Sequence, residues 1–185
     1  YASEYRYRNP ITGNKTLTII ISQSGETADT LAALKEAKKR GSHTLAIVNV
    51  VGSSIANAAD DVIYTWAGPE IAVATTKGYS TQLSVLYLFA VWAARLLKTA
   101  DGARLDKIFD DILMLPELTE RVILAEPQIK EMAKHCGDPK SLFFIGRNID
   151  YAVSLEASLK LKEISYIHSE AYASGELKHG TISLI

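Results

Sequence analysis

The residues of this chain that are best suited to hold an anion lie between an apolar run and a helical pattern. Three hydroxyl groups and one amide occur within six residues, on the side chains of Ser22, Gln23, Ser24 and Thr27. They follow the β-branched run 17–21, which predicts a strand covered on both faces of a parallel sheet. The helix predicted from Ala28 turns unpaired N–H groups towards these side chains, and such a terminus favours anions. The pattern indicates a phosphate site.

The same residue types also form ordinary helix caps and turns, since Ser and Thr are preferred N-cap residues. A cap uses one hydroxyl, whereas three occur here. The turn lacks the lysine of a P-loop and is not GxGxxG, so a nucleotide fits it poorly. A cap and a site for a small phosphomonoester both stay open from these residues alone. The same choice applies to the donors at 75–77, where Thr76 could be an N-cap.

A second group of residues suits proton transfer. In the helix predicted over 151–165, Glu156, Lys160 and Glu163 fall at i, i+4 and i+7 and share one face. They could form a row of surface ion pairs. Apolar residues at 157, 164 and 167 share that face, however, so we expect packed surface beside the charges. A carboxylate and an ammonium there perturb each other's proton affinity, which is useful for acid–base chemistry.

His179 stands before Gly180 in a polar loop, where an imidazole has reach and titrates near neutrality. A solvated loop histidine without a role is the alternative.

Apolar strands alternate with helices along the first half of the chain. Strands are predicted at 17–21, 44–51 and 62–65, and helices at 28–39, 55–59 and 80–98. This order is typical of βαβ units, and hence of an α/β fold in which helices cover both faces of a parallel sheet. Ligands gather at the carboxyl ends of such strands, where the Ser22–Thr27 turn lies. The apolar run 85–94 is too short to span a bilayer, so we expect a buried core helix.

Changes in composition and hydrophobic pattern along the chain predict three segments. Residues 1–99 form the later part of one α/β module, 100–139 form a helical connector broken at Pro116 and Pro127, and 140–185 open a second module with a strand at 142–145. The chain begins without Met on a polar segment and stops on an apolar one, so we expect a piece of a longer protein.

Composition narrows the function classes. A net charge of −1 without charge asymmetry argues against nucleic acid or an acidic membrane surface as a partner. Cys136 is the single cysteine, so no internal disulfide can form, and a reducing cytoplasmic setting is expected.

Several motifs, taken in order, make the resemblance to a known family specific. They are Ser-Gln-Ser-Gly-Glu-Thr at 22–27, Val-Ala-Thr-Thr-Lys at 73–77, Lys-Leu-Lys-Glu-Ile at 160–164 and Glu-Leu-Lys-His-Gly at 176–180, with Ala-Ser-Glu-Tyr-Arg-Tyr-Arg at 2–8 before them. The chain resembles the sugar isomerase (SIS) domain along essentially its whole length. Within that group it is similar to the isomerase half of the glutamine:fructose-6-phosphate aminotransferases, also called glucosamine-6-phosphate synthases.

The resemblance implies two SIS modules, each a flavodoxin-like parallel sheet flanked by helices. It implies hexosamine biosynthesis, in which fructose 6-phosphate and ammonia from glutamine become glucosamine 6-phosphate, without metal or cofactor. By motif match, the sugar phosphate is bound by Ser22, Gln23, Ser24 and Thr27, and the backbone around Val73 contacts the sugar. Glu163 moves the proton between C1 and C2 with Lys160 beside it, and His179 opens the sugar ring from the neighbouring subunit of a homodimer.

Parts of the family's machinery fall outside this chain, and one residue departs from the pattern. The Gly-Thr-Ser phosphate turn, the C-terminal Schiff-base lysine and the glutaminase domain are absent, so this segment alone is expected to be inactive. Thr181 stands where many members have Pro. Two alternatives stay open: another phosphosugar enzyme of the SIS type, such as a deglycase or isomerase, and a non-catalytic module that senses a phosphosugar. The first need not share the 176–180 loop, and the second needs neither Lys160, Glu163 nor His179.

Overall fold

The computed structural model describes residues 1–184 and divides the chain into two compact units, Tyr1–Leu115 and Pro116–Ile185. The predicted helices of the 100–139 segment are present, and the first of them belongs to the first unit. The separation of that segment as a connector of its own stays a prediction.

The first unit alternates strands and helices, as the sequence predicts. Its elements are α1 (Ala2–Tyr5), a 3₁₀ helix (Arg6–Arg8), β1 (Leu17–Ser22), α2 (Ala28–Lys39), β2 (His43–Val48), α3 (Ser54–Ala58), β3 (Asp61–Tyr64), α4 (Lys77–Leu97) and α5 (Gly102–Leu113). The α/β fold class with a parallel sheet flanked by helices is confirmed.

The sheet of the first unit has the order β1–β2–β3 with both pairs parallel. Ser22 of β1 pairs with Val48 of β2, and Val48 pairs with Tyr64 of β3, so the three strands end at one edge. The core lies between one face of the sheet and the helices α2 and α3; its buried members are Ile20, Leu34, Ala46, Val48, Ile55 and Ala56. Burying one such large side chain contributes about 1.5–3 kcal/mol, and this packing fixes the edge at which the turn sits.

Helix α4 is not the buried core helix that we expected. Val91 is buried, but Trp92 is 57% exposed and Leu97 is 69% exposed. A 21-residue helix is about 31 Å long, whereas strands of four to six residues span about 13–20 Å, so this sheet cannot cover it. A cavity of about 580 Å³ with mostly apolar walls lies between α4 and the sheet. By length and composition α4 could also cross a membrane, a test that core helices of soluble proteins pass as well.

The second unit contains a two-stranded parallel sheet with a helix packed on it. Its elements are α6 (Leu115–Leu124), which begins at the boundary, α7 (Glu126–His135), β4 (Ser141–Gly146), α8 (Ile149–Ser165), β5 (His168–Ala173) and a 3₁₀ helix (Thr181–Leu184). Helix α8 contacts both strands. The sequence did not predict β5, because His-Ser-Glu-Ala-Tyr-Ala has no β-branched residue and little apolar character.

Candidate functional site

The Ser22–Thr27 turn follows β1 directly and is closed by its own hydroxyl groups. The buried Ser22 Oγ accepts a hydrogen bond from Gly25 N at 3.1 Å and lies 3.2 Å from Thr27 Oγ1. Ser24 Oγ accepts from Glu26 N at 3.2 Å. Gln23 and Ser24 are partly exposed and Thr27 is exposed, so a ligand can reach these side chains. The turn is therefore a folded loop that presents polar groups at the carboxyl end of a strand.

Helix capping does not account for these side chains. Thr27 occupies the N-cap position of α2, yet its side chain makes no capping hydrogen bond. The same holds for Ser53 at α3 and for Thr76 at α4. The first N–H groups of α2 thus lack a side-chain cap from Thr27, and they lie beside the hydroxyls of the turn. This arrangement suits an oxyanion better than it suits a simple cap.

The residue after β2 and the first turn of α3 hold the turn from a second side. Gln23 O accepts from Asn49 N at 3.1 Å, and Gly25 O accepts from Ile55 N at 2.9 Å. The Glu26 carboxylate accepts from Ser54 N at 2.7 Å, and the hydrogen bonds from Ser54 lower the pKa of Glu26. Glu26 therefore stays ionised, with its charge directed at α3.

Asn49 is a structural residue of this edge that sequence reasoning missed. We expected the strand to continue to residue 51, but β2 ends at Val48. The Asn49 amide then binds the next loop, since its Oδ1 accepts from Thr65 Oγ1 and Ala67 N and its Nδ2 donates to Gly68 O at 2.8 Å. An asparagine directly after an apolar strand was the available signal. It links the ends of all three strands.

The loop after β3 carries Val73, whose side chain is 92% exposed. Val73 O accepts from Thr75 N at 3.0 Å. Thr75 Oγ1 donates to Glu70 Oε2 at 2.7 Å, and this hydrogen bond lowers the pKa of Glu70. The side chain of Gln23 approaches the start of α4 closely, since its Cγ lies 3.1 Å from the position that a β-carbon on Gly78 would take. Turn and loop are thus neighbours in one unit.

Helix α8 brings the predicted proton-transfer residues together. Lys160 Nζ donates to Glu163 Oε2 at 2.6 Å and lies 3.6 Å from Glu156 Oε1. The side chains are 16% exposed for Lys160 and 29% for Glu163, so these are not ordinary surface ion pairs. Burial alone lowers the pKa of Lys160, but the hydrogen bond with Glu163 and the charge of Glu156 raise it above the ordinary value. The ammonium therefore stays protonated beside the carboxylate.

His179 lies in the turns that follow β5, and its side chain is exposed. The backbone N–H of His179 donates to the carbonyl oxygen of Glu176 at 3.0 Å and so closes a turn of the loop. The sequence did not single out a hydrogen-bonded pair on β5. The hydroxyl of Tyr172 donates to the carboxylate of Glu170, and this hydrogen bond raises the pKa of Tyr172. The Thr181 side chain acts in the opposite direction and lowers the pKa of Tyr172, which places the segment just after His179 near β5.

The predicted site residues thus form one group in each unit. Ser22, Gln23, Ser24, Thr27 and Val73 belong to the first unit, and Lys160, Glu163 and His179 belong to the second. Within residues 1–184, no three His, Cys, Asp or Glu side chains are placed to hold a metal ion.

Comparison with known proteins agrees with this architecture. A family model described as SIS domain matches residues 1–92 and 137–185. The chain is 56% identical over 184 residues to glutamine--fructose-6-phosphate aminotransferase [isomerizing] of Clostridium tetani and to the enzyme of the same name from Caldanaerobacter subterraneus subsp. tengcongensis. All of the chain is covered, together with 30% of each relative. The chain thus spans less than a third of the length of these curated relatives.

Among solved structures, the C-terminal domain of glucosamine-fructose-6-phosphate aminotransferase from Francisella tularensis is similar to the whole chain. The TM-score is 0.94 at 39% sequence identity, and 52% of that structure's chain is covered.

Proposed function

Because the chain belongs to the SIS domain family, we propose that it is part of an isomerase domain that binds fructose 6-phosphate and converts it, with ammonia from glutamine, to glucosamine 6-phosphate. The observation that carries this proposal is the closed hydroxyl turn at 22–27, in a chain 56% identical to enzymes named for that reaction. The whole protein would be a transferase of the cytoplasm, with a glutaminase domain in the same polypeptide and a second copy as its partner.

In the proposed mechanism the turn holds the phosphate group. The sugar phosphate accepts hydrogen bonds from Ser22, Ser24 and Thr27, the amide of Gln23 and the N–H groups at the start of α2, while the backbone at Val73 contacts the sugar. Neutral donors at a helix terminus stabilise the dianion without a lysine in the turn. Binding of the phosphate group positions the sugar, and no covalent bond forms or breaks at the turn.

Proton transfer is assigned to the second unit. Glu163 takes a proton from C1 or C2 and returns it to the other carbon, which is the step that aldose–ketose interconversion needs. Lys160 remains protonated at 2.6 Å and stabilises negative charge on Glu163 and on the neighbouring sugar oxygens. His179 opens the sugar ring either as an imidazolium that gives a proton to the ring oxygen or as a neutral imidazole that removes the proton of the anomeric hydroxyl.

The phosphate assignment is tested by Ser24→Ala in the full-length protein. Loss of one hydrogen bond should weaken fructose 6-phosphate binding by about 1 kcal/mol, which is roughly fivefold in Kd. Titration calorimetry measures this change. Ser84→Ala is the matched control, because its hydroxyl donates within α4 to Ser80 O and should leave binding unchanged. An unchanged Kd for Ser24→Ala would contradict the assignment.

A further inference from the structure

The space beside Gly25, in the middle of the phosphate turn, is filled by another side chain of the first unit. Gly25 has a φ of +69°, in the left-handed region. A β-carbon on Gly25 would lie 2.0 Å from Ser53 Oγ and 2.5 Å from Ser53 Cβ, which is far closer than atoms can pack. The turn and Ser53 therefore fit together only while residue 25 has no side chain.

The polarity of Ser53 does not explain its position. Its side chain is 3% exposed, and Oγ has no hydrogen-bond partner within residues 1–184. The hydroxyl does not cap α3 either, and the N–H of Ile55, from which an N-cap side chain could accept, donates to Gly25 O instead. A buried hydroxyl without a partner costs free energy, so a residue that occupies such a place needs another reason. The remaining explanation is steric: the Ser53 side chain has the size that fits against the backbone of Gly25.

The backbone on both sides of Ser53 is tied to the same turn. Asn49 N binds Gln23 O, Ser54 N binds the Glu26 carboxylate at 2.7 Å, and Ile55 N binds Gly25 O at 2.9 Å. These bonds hold the turn against residues 49–55, while the Ser53 side chain limits how closely Gly25 can approach. The three hydrogen bonds draw the two segments together and the Ser53 side chain keeps them apart, so together they fix the distance between Gly25 and Ser53.

We propose that Ser53 is a positioning residue for the phosphate site, although it does not touch the phosphate. Its side chain sets the path of the backbone at Gly25, and that path decides where the hydroxyls of Ser22 and Ser24 point. The inference rests on the proposed function, since it assumes that the turn binds the phosphate of fructose 6-phosphate. It assigns a substrate-affinity role to a residue of the β2–α3 segment, outside the motif at 22–27.

A size exchange between positions 25 and 53 in the full-length protein tests the proposal. Gly25→Ala should raise the Kd for fructose 6-phosphate at least tenfold in titration calorimetry. Gly137→Ala is the matched control, because its φ is +67° with open space around it, so it carries the backbone strain without the clash. The Gly137 variant should bind normally. Adding Ser53→Gly to Gly25→Ala should recover at least threefold of the lost affinity, because it removes the clash and leaves only the strain.

Other outcomes separate this inference from the proposed function. If the double variant is folded and binds no better than Gly25→Ala, the positioning role is wrong even where Ser24→Ala weakens binding. If Ser24→Ala also leaves the Kd unchanged, the phosphate site itself is wrong. Should Gly25→Ala not fold, Ser53→Thr adds one methyl group at the same place: KM for fructose 6-phosphate should rise at least threefold with kcat unchanged. An unaltered KM in that variant would overturn the proposal.

Discussion

The turn of the first unit and the charged cluster of the second are built in different ways. The turn is held by hydrogen bonds to backbone atoms that lie far apart in the sequence, such as Ile55 N to Gly25 O. The cluster on α8 lies within one helix, and its contacts join side chains three or four residues apart, as Lys160 joins Glu163. The first region depends on the shape of the fold, and the second depends on helix periodicity and charge.

This difference predicts different responses to substitution. A turn held mainly by hydrogen bonds to backbone atoms should lose affinity in small steps and retain turnover, because it binds ground state and transition state alike. A cluster that moves a proton should lose turnover in one step when a single charge is removed.

Glu163→Gln should reduce isomerisation in the full-length protein by about 10²–10⁴-fold, because the amide cannot accept the proton. Fructose 6-phosphate binding should be largely retained. Glu156→Gln is the matched control, since Glu156 lies 3.6 Å from Lys160 Nζ and, unlike Glu163, takes no proton in the proposed mechanism. Turnover and calorimetry measure the two effects. Retained turnover in Glu163→Gln would remove the contrast between the regions.

Lys160→Met should lower the free energy of unfolding by about 1–3 kcal/mol, because two carboxylates then lose their shared partner in a largely buried place. Lys134→Met is the control: Lys134 pairs with Glu131 at 2.7 Å, but both side chains are more than 60% exposed, so the loss should be about 0–0.5 kcal/mol. Urea denaturation compares the variants. Equal losses would mean that burial on α8 is irrelevant.

The stabilisation that Lys160 contributes depends on pH. The pKa of Lys160 is raised above the ordinary 10.5, so the folded state binds its proton more tightly than the unfolded state does. Its contribution to stability is complete below pH 10.5 and disappears as the pH rises through the raised value. The difference between the wild type and Lys160→Met should therefore be constant near neutrality and shrink in strong alkali.

Glu26→Ala should have the smallest effect of the three, a modest decrease in thermal stability together with weaker sugar-phosphate binding. Glu26→Gln should preserve both, since an amide oxygen can still accept from Ser54 N. Because the pKa of Glu26 is lowered, its contribution is present above pH 4.5 and is lost as the pH falls through the lowered value. Weaker binding in Glu26→Gln would mean that charge, rather than support of the turn, is what matters at this position.

The comparison also explains how much could be read from the sequence. The cluster on α8 was predictable, because helical periodicity alone places Lys160 near Glu163. The hydroxyls of the turn and the strand before them were predictable as well, since residue type and strand pattern are local. The bond from Ser54 N to Glu26 joins residues 28 apart, and only the packed sheet brings them together.

Three features of the fold differ from what the sequence predicts. β5 is a strand because β4 and α8 provide its partners, and Tyr172 is the one residue of the segment that favours a strand. β2 ends before its apolar run does, because the Asn49 side chain forms hydrogen bonds with the loop after β3 in place of a continued strand ladder. The exposure of α4 was misjudged from composition, which records that a helix is apolar and says nothing of the area available to cover it.

The raised pKa of Lys160 has a consequence for covalent labelling. Acylation and reductive methylation require the free amine, and the fraction of free amine falls as the pKa rises. Lys160, held by two carboxylates and mostly buried, should therefore be among the last lysines of the chain to be modified, and the more exposed Lys134 should be modified before it. The order of labelling along the chain would thus report directly whether the α8 cluster is intact.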